Sequence, residues 1–168
     1  MDRELQISSE LSSFINGLGQ WYESMGISRI AGQICGLLLV ADEPVTPEDI
    51  SRILNVSRSS VSTNLKMLKM VGLLEYRRIS GDRKEYILFS DFALENSLRI
   101  KIESYSPFEK MVDESLGFLK KGSKAEKRMK DLKEYLKLEK GFTVSLMEKW
   151  KRLSESRTSA KHDKGRNK

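Results

Sequence analysis

The sequence predicts a mainly α chain carrying one small β-hairpin. Three observations lead there. Apolar residues recur at helical spacing through most of the 168 residues. Helix-capping residues punctuate that pattern near positions 46, 57 and 72. Between residues 73 and 89 the pattern changes to two β-prone runs around a Gly-Asp tip.

The first helix is predicted from Leu11, Phe14, Ile15, Leu18, Tyr22 and Met25, which fall on one stripe. Ile27, Ile30, Ala31, Ile34, Leu37, Leu38 and Ala41 make a second. Within it, Gly32 and Gly36 lie four residues apart and let another backbone approach closely. A third, short helix begins at Thr46, a good N-cap, with Pro47 at the first helical position and Glu48 and Asp49 in the first turn. Ile50, Ile53 and Leu54 give it one apolar side.

After a tight turn at Asn55-Val56, Ser57 caps a fourth helix. Val61, Leu65 and Leu68 form its apolar face, and Gly72 is placed to end it. Its other face carries Ser59, Thr63 and Lys66, flanked by Arg58, Ser60, Ser62 and Lys69. No carboxylate occurs between Arg58 and Leu74. Solvated faces ordinarily mix both signs, so an acid-free face of small hydroxyls and bases fits approach to a polyanion. The two β-prone runs then enclose residues 80–83, with Arg77, Arg78, Arg83 and Lys84 clustered near the tip. An arginine there suits the enhanced negative potential of a narrow minor groove. Asp82 is expected to orient a neighbouring arginine.

Short helix, turn, basic helix and basic hairpin are, in that order, a winged helix-turn-helix. Residues 30–90 resemble the multiple-antibiotic-resistance-regulator (MarR) superfamily, and more narrowly its glycine-betaine-synthesis-repressor (GbsR) branch. The residues that carry the resemblance are Ile30-Ala31-Gly32-Gln33-Ile34 with Leu37-Leu38-Leu39, Thr46-Pro47-Glu48-Asp49-Ile50 and Ser57-Arg58-Ser59-Ser60-Val61-Ser62. The run from Leu68 to Leu74 and Gly81-Asp82-Arg83-Lys84 complete it. The resemblance implies a homodimer interlocked through its terminal helices. It also implies a transcriptional regulator, a repressor, on double-stranded DNA. The expected DNA contacts are Ser57, Arg58, Ser59, Ser60, Ser62, Thr63 and Lys66 from the helix, and Arg77, Arg78, Arg83 and Lys84 from the wing.

Beyond the hairpin, Leu94, Leu98 and Ile102 begin another helix, which Pro107 is expected to interrupt or restart. Phe108, Met111, Val112, Leu116 and Leu119 continue the stripe. A last helix carries Met129, Leu132, Leu136, Phe142, Leu146, Trp150 and Leu153. From Ser154 the sequence is polar and aperiodic, which predicts disorder. The expected organisation is an N-terminal dimerisation helix (1–26), the winged helix-turn-helix (27–92), C-terminal dimerisation helices (93–154) and a basic disordered tail (155–168).

The net charge of +6 is unevenly spread. Residues 149–168 hold eight bases against two acids, so the other 148 residues are neutral in sum. Inside that neutral part, residues 58–84 hold seven bases against two acids. Positive charge thus concentrates in the reading head and the tail. No apolar run is long enough to span a membrane, and the first residues do not read as a signal peptide, so a cytoplasmic protein is expected. Cys35 stands alone on an apolar stripe, where an inert buried thiol is expected.

Catalysis finds little to work with. His162, the only histidine, lies in the tail, which removes His-based triads and most zinc chemistry. There is no Gly-rich phosphate loop. No enzyme, no cofactor and no metal are expected. GbsR-like regulators respond to quaternary ammonium compounds, which aromatic rings recognise. That resemblance makes Trp21, Tyr22 and Tyr105 candidate effector contacts, although aromatic residues at helical spacing are more often packing. An alternative function is a winged-helix adaptor that binds protein, which calls for an apolar patch where this chain has a basic face.

Overall fold

A computed structural model describes residues 7–165, with side chains described to Ser156. The element order is α1 (Ser9–Ser24), α2 (Arg29–Val40), α3 (Pro47–Leu54), α4 (Arg58–Met70), β1 (Leu74–Arg78), β2 (Glu85–Phe89), α5 (Ala93–Leu116) and α6 (Lys124–Gly165). The chain forms two compact units that divide between Ala93 and Leu94.

In the first unit, α1 lies along α2, and glycines set how close the two come. A Cβ on Gly32 would stand 2.6 Å from the Leu18 carbonyl oxygen and 2.8 Å from Gly19 Cα. One on Gly36 would stand 3.0 Å from Ile15 Cα. The Gly32/Gly36 pair therefore receives the backbone of α1, while Ile15 enters the core. That core continues through Ala31, Ile34, Leu37 and Leu38 of α2, Ile50 of α3, Val61, Leu65 and Leu68 of α4, and Ile87 of β2. β1 and β2 pair antiparallel, with Tyr76 opposite Ile87 and Arg78 opposite Glu85. Val45 adds a bridge to Ile87, its N–H donating at 2.9 Å and its carbonyl accepting at 2.8 Å. The segment before α3 is thereby stitched to the wing.

The second unit is a helical hairpin. Tyr105 and Val112 of α5 pack with Leu136 of α6, flanked by Leu116, Met129 and Leu132. Ion pairs Lys151–Glu95, Lys101–Glu139, Lys140–Glu109 and Lys133–Asp113 fix an antiparallel register.

Two expectations are corrected. Pro107 does not interrupt α5, which runs unbroken past it. The ring removes one backbone hydrogen bond, but Tyr105 and Val112 anchor the helix to α6 on both sides of it. Nor does helix stop before residue 155, because α6 continues to Gly165; residues 166–168 of the expected tail lie outside the described residues. Polar residues without apolar period lack a packing face, yet a helix already nucleated propagates through good helix formers at little cost.

Candidate nucleic-acid interface

α3 and α4 are fixed by their ends. Thr46 Oγ1 accepts from the Asp49 N–H at 3.2 Å, and Asp49 Oδ2 accepts back from the Thr46 N–H at 3.3 Å, a capping box. The turn into α4 is made by Asn55 in the left-handed region (φ 51°), one of the few non-glycine types that tolerate it. Ser51 Oγ donates to the Val56 carbonyl at 2.6 Å and closes that turn. Ser57 caps α4, its Oγ accepting from the Ser60 N–H at 3.2 Å. At the far end Gly72 (φ 77°) lets the Gly72 N–H reach the Lys69 carbonyl and the Leu73 N–H reach the Leu68 carbonyl.

With Val61, Leu65 and Leu68 buried, Ser57, Arg58, Ser59, Ser62, Thr63 and Lys66 are exposed. Ser60 is half-buried, and its hydroxyl lies 2.8 Å from Ser57 Oγ. Ser59 Oγ is 3.0 Å from the same atom. These three hydroxyls thus form one cluster at the N-terminal end of α4. The free N–H groups and positive dipole end of a helix favour an anion there.

In the wing, Arg77, Arg78, Arg83 and Lys84 are all exposed. Arg77 lies 3.8 Å from Glu75, so part of its charge is answered within the strand. Asp82 does not orient an arginine. Its carboxylate accepts from the Lys84 backbone N–H at 2.9 Å and from the Tyr86 hydroxyl at 2.7 Å. These bonds, the Lys84 N–H first, hold the Asp82 carboxyl below its usual range. Together with Gly81 at φ 85° they shape the turn that carries Arg83.

Three contributors were not legible as such. Asn64 sits on the recognition helix yet is buried, its Nδ2 donating to the Ser60 carbonyl at 2.8 Å. Lys69, expected on the flank of the reading face, places its ammonium 4.3 Å from the Tyr76 ring and so links α4 to β1. Val45, just before α3, becomes the third backbone beside the wing. The Thr-x-x-Asp spacing at 46–49 is the one signal in the sequence that could have announced the full capping box.

The aromatic candidates fall in both units. Trp21 is 57% exposed and meets Tyr22 edge to face, with centroids 5.6 Å apart. The Tyr22 hydroxyl donates to Cys35 Sγ at 3.6 Å. Burial, with the neighbouring thiol, pushes the Tyr22 phenol above its ordinary range, and burial raises the Cys35 thiol as well. Cys35 is therefore the inert buried thiol its stripe predicts. Tyr105 belongs to the second unit, buried, with its hydroxyl 3.2 Å from Thr143 Oγ1. Among the described residues no cluster of His, Cys, Asp and Glu could hold a metal ion, and no helix is long and apolar enough to cross a membrane.

The MarR family model matches residues 25–85, the stretch from the end of α1 to the start of β2. Over those residues, about a third of the chain, the sequence is similar to that family. The HTH-type transcriptional regulator MmpR5 of Mycobacterium tuberculosis is 29% identical over 132 residues, covering 76% of this chain and 80% of that protein. A crystal structure of a transcriptional regulator superposes with a TM-score of 0.75 at 24% identity, over 85% of this chain and 99% of that one. That likeness shows the fold alone, a winged helix with helical flanks. The narrower GbsR-like assignment rests on the sequence resemblance alone.

Proposed function

We propose that this chain is a MarR-type DNA-binding transcriptional regulator that acts as a homodimeric repressor on a pseudo-palindromic operator. The observation that carries the reading is the exposed face of α4, free of acids, beside a wing whose arginines are exposed. Thr63 and Lys66 would read base edges in the major groove, and Arg83 the adjacent minor groove. The hydroxyl cluster at Ser57, Ser59 and Ser60 would seat a phosphate at the helix end.

A second copy is supported by apolar surface in both units. On α1 and its C-cap, Leu11, Phe14, Leu18, Trp21 and Met25 alternate by three and four, and all but Leu18 are exposed. On α6, Leu138 and Phe142 are each 73% exposed, on the side away from Leu136. Such stripes on both terminal segments fit an interlocked two-fold pair. For a cationic effector, Trp21 offers the open ring, whereas Tyr105 is committed to packing.

The test is a titration of wild type, Thr63→Ala, Lys66→Ala and Arg83→Ala against variants of a duplex selected from random sequence. The helix substitutions should each lose about 1–3 kcal/mol of discrimination at particular positions. Arg83→Ala should weaken binding at all sites, most where the flanks are A·T-rich. If Lys66→Ala and Arg83→Ala together leave binding unchanged, the head does not read DNA, and the protein-adaptor reading replaces this one.

A further inference from the structure

The recognition helix and the wing meet at one corner of the chain, and Lys69 holds both sides of it. Only Val71, Gly72 and Leu73 separate α4 from β1. In the backbone, the Lys69 carbonyl accepts from the Gly72 N–H at 2.9 Å, with Gly72 at φ 77°, and the Leu68 carbonyl accepts from the Leu73 N–H at 3.1 Å. Across the corner, the Lys69 ammonium stands 4.3 Å from the Tyr76 ring, inside the range of a cation–π contact. Tyr76 is itself a fixed point. It is half-buried against the core of the first unit and lies opposite Ile87, which is fully buried. Among the described residues Lys66, one turn earlier on α4, has no such ring contact.

We infer that Lys69 is a positioning residue for DNA recognition. Through the Tyr76 ring it sets the angle between α4 and the wing, and so the spacing accepted between a major-groove site and its minor-groove flank. The inference rests on the DNA-binding reading of the head. Arg83 lies beyond the far end of β1, so a small change of angle at Tyr76 displaces it by more. Charge alone suggests a phosphate contact for Lys69. Its ammonium is instead engaged by the ring, and it lies in the last turn of α4, where the helix dipole favours a cation. A contact already made in the free protein needs no ordering when DNA binds, so it pre-organises the two readers. It competes with water at an exposed site, which bounds its effect on spacing selectivity at about two- to five-fold per half-site.

The experiment titrates the full-length protein against the selected duplex and against duplexes whose A·T-rich flanks are moved one base pair inward or outward. Lys69→Gln, Tyr76→Leu and the double variant are compared with wild type, and Lys69→Arg and Tyr76→Phe serve as conservative controls. Lys69→Gln and Tyr76→Leu should each flatten the preference for the native spacing by about two- to five-fold, and the double variant no further than either alone. Lys69→Arg and Tyr76→Phe should keep it, because a guanidinium and a phenyl ring preserve the contact. Tyr76 also packs on the core, so the Lys69 variants decide if Tyr76→Leu weakens the fold. The slope of log K against log salt should be the same for Lys69→Gln as for wild type. A slope flattened by about 0.9 with spacing preference intact would make Lys69 a phosphate contact and overturn the inference. A DNA-free readout separates the two readings: the Tyr76 ring should shift the Lys69 ε-methylene NMR signal upfield, and Tyr76→Leu should abolish that shift. Absence of the shift in wild type overturns the inference by itself. If the shift is present while Lys66→Ala and Arg83→Ala are silent on every duplex, the contact stands, and it is the reading of the head that fails and takes the positioning role with it.

Discussion

At the scale of single residues, glycine positions on α1 and α2 separate two roles that look alike in the sequence. Gly17 has open space where a Cβ would stand, whereas a Cβ at Gly32 would meet the Leu18 carbonyl, Gly19 Cα and Tyr22 Cβ, all within 2.9 Å. Gly17→Ala should therefore stabilise the fold by about 1 kcal/mol, the helix-propensity difference. Gly32→Ala should destabilise it by about 1–3 kcal/mol, because backbone cannot yield as a side-chain tip can. Urea unfolding of both variants checks this, and equal effects at the two sites would refute the close approach of α1 to α2. Asp82 gives a second residue-scale prediction. Its folded carboxyl is held below the ordinary value of 3.8 by the Lys84 N–H and the Tyr86 hydroxyl. A depressed carboxyl contributes above its ordinary pKa and loses that contribution as pH falls through the depressed value. The wing turn should thus stay ordered through mildly acidic pH and loosen only below the usual carboxylate range. Tyr86→Phe should move the midpoint up towards 3.8, read from the Lys84 amide in an NMR pH titration. An unmoved midpoint would mean that Tyr86 does not set this charge.

At the scale of elements, the ends of the helices place the reading face more than their middles do. α3 has only eight residues, too few to be stable by propensity. It is held by the capping box, by Ile50 in the core, and by the left-handed Asn55 that turns the chain into α4. Thr46→Ala removes the cap oxygen and leaves Asp49 without its partner hydroxyl, which is bonded at 2.6 Å. The expected loss is about 1 kcal/mol, with an unchanged denaturant slope since the core is untouched. A silent Thr46→Ala would show that packing of Ile50 alone holds α3. The wing is similarly secured from outside itself, by Val45 along one edge and Lys69 over Tyr76. An isolated two-stranded hairpin is marginal in water, so these contacts give the arginines a defined platform.

At the scale of the whole molecule, the apolar surface left on α1 and α6 leads to a quantitative expectation about assembly. Leu138 and Phe142 contribute little to the hairpin's own core, being far more exposed than Leu136. Changing both to glutamate should leave the subunit folded and prevent pairing. Light scattering at micromolar concentration should give a dimer for wild type and a helical monomer for Leu138→Glu/Phe142→Glu, with circular dichroism confirming the helix. Wild type that scatters as a monomer would remove the two-fold reader from the proposal.

The class of fold, the order of its elements, the caps at Thr46 and Ser57 and the stop at Gly72 were determined by the sequence itself. Each depends on chemistry within a few residues of the chain: a hydroxyl three residues before an N–H, a missing Cβ where φ turns positive, a stripe at helical period. The basic, acid-free face at 58–69 was legible for the same reason, since a helix maps spacing onto faces directly. The tertiary structure decided what depends on partners distant in sequence. It turned Asp82 towards Tyr86, sank Asn64 into the helix, carried α5 through Pro107, and divided the α6 stripe between Leu136, which is buried, and Phe142, which is not. Periodicity marks which residues are apolar, but only the packed chain decides which of them a neighbouring element covers.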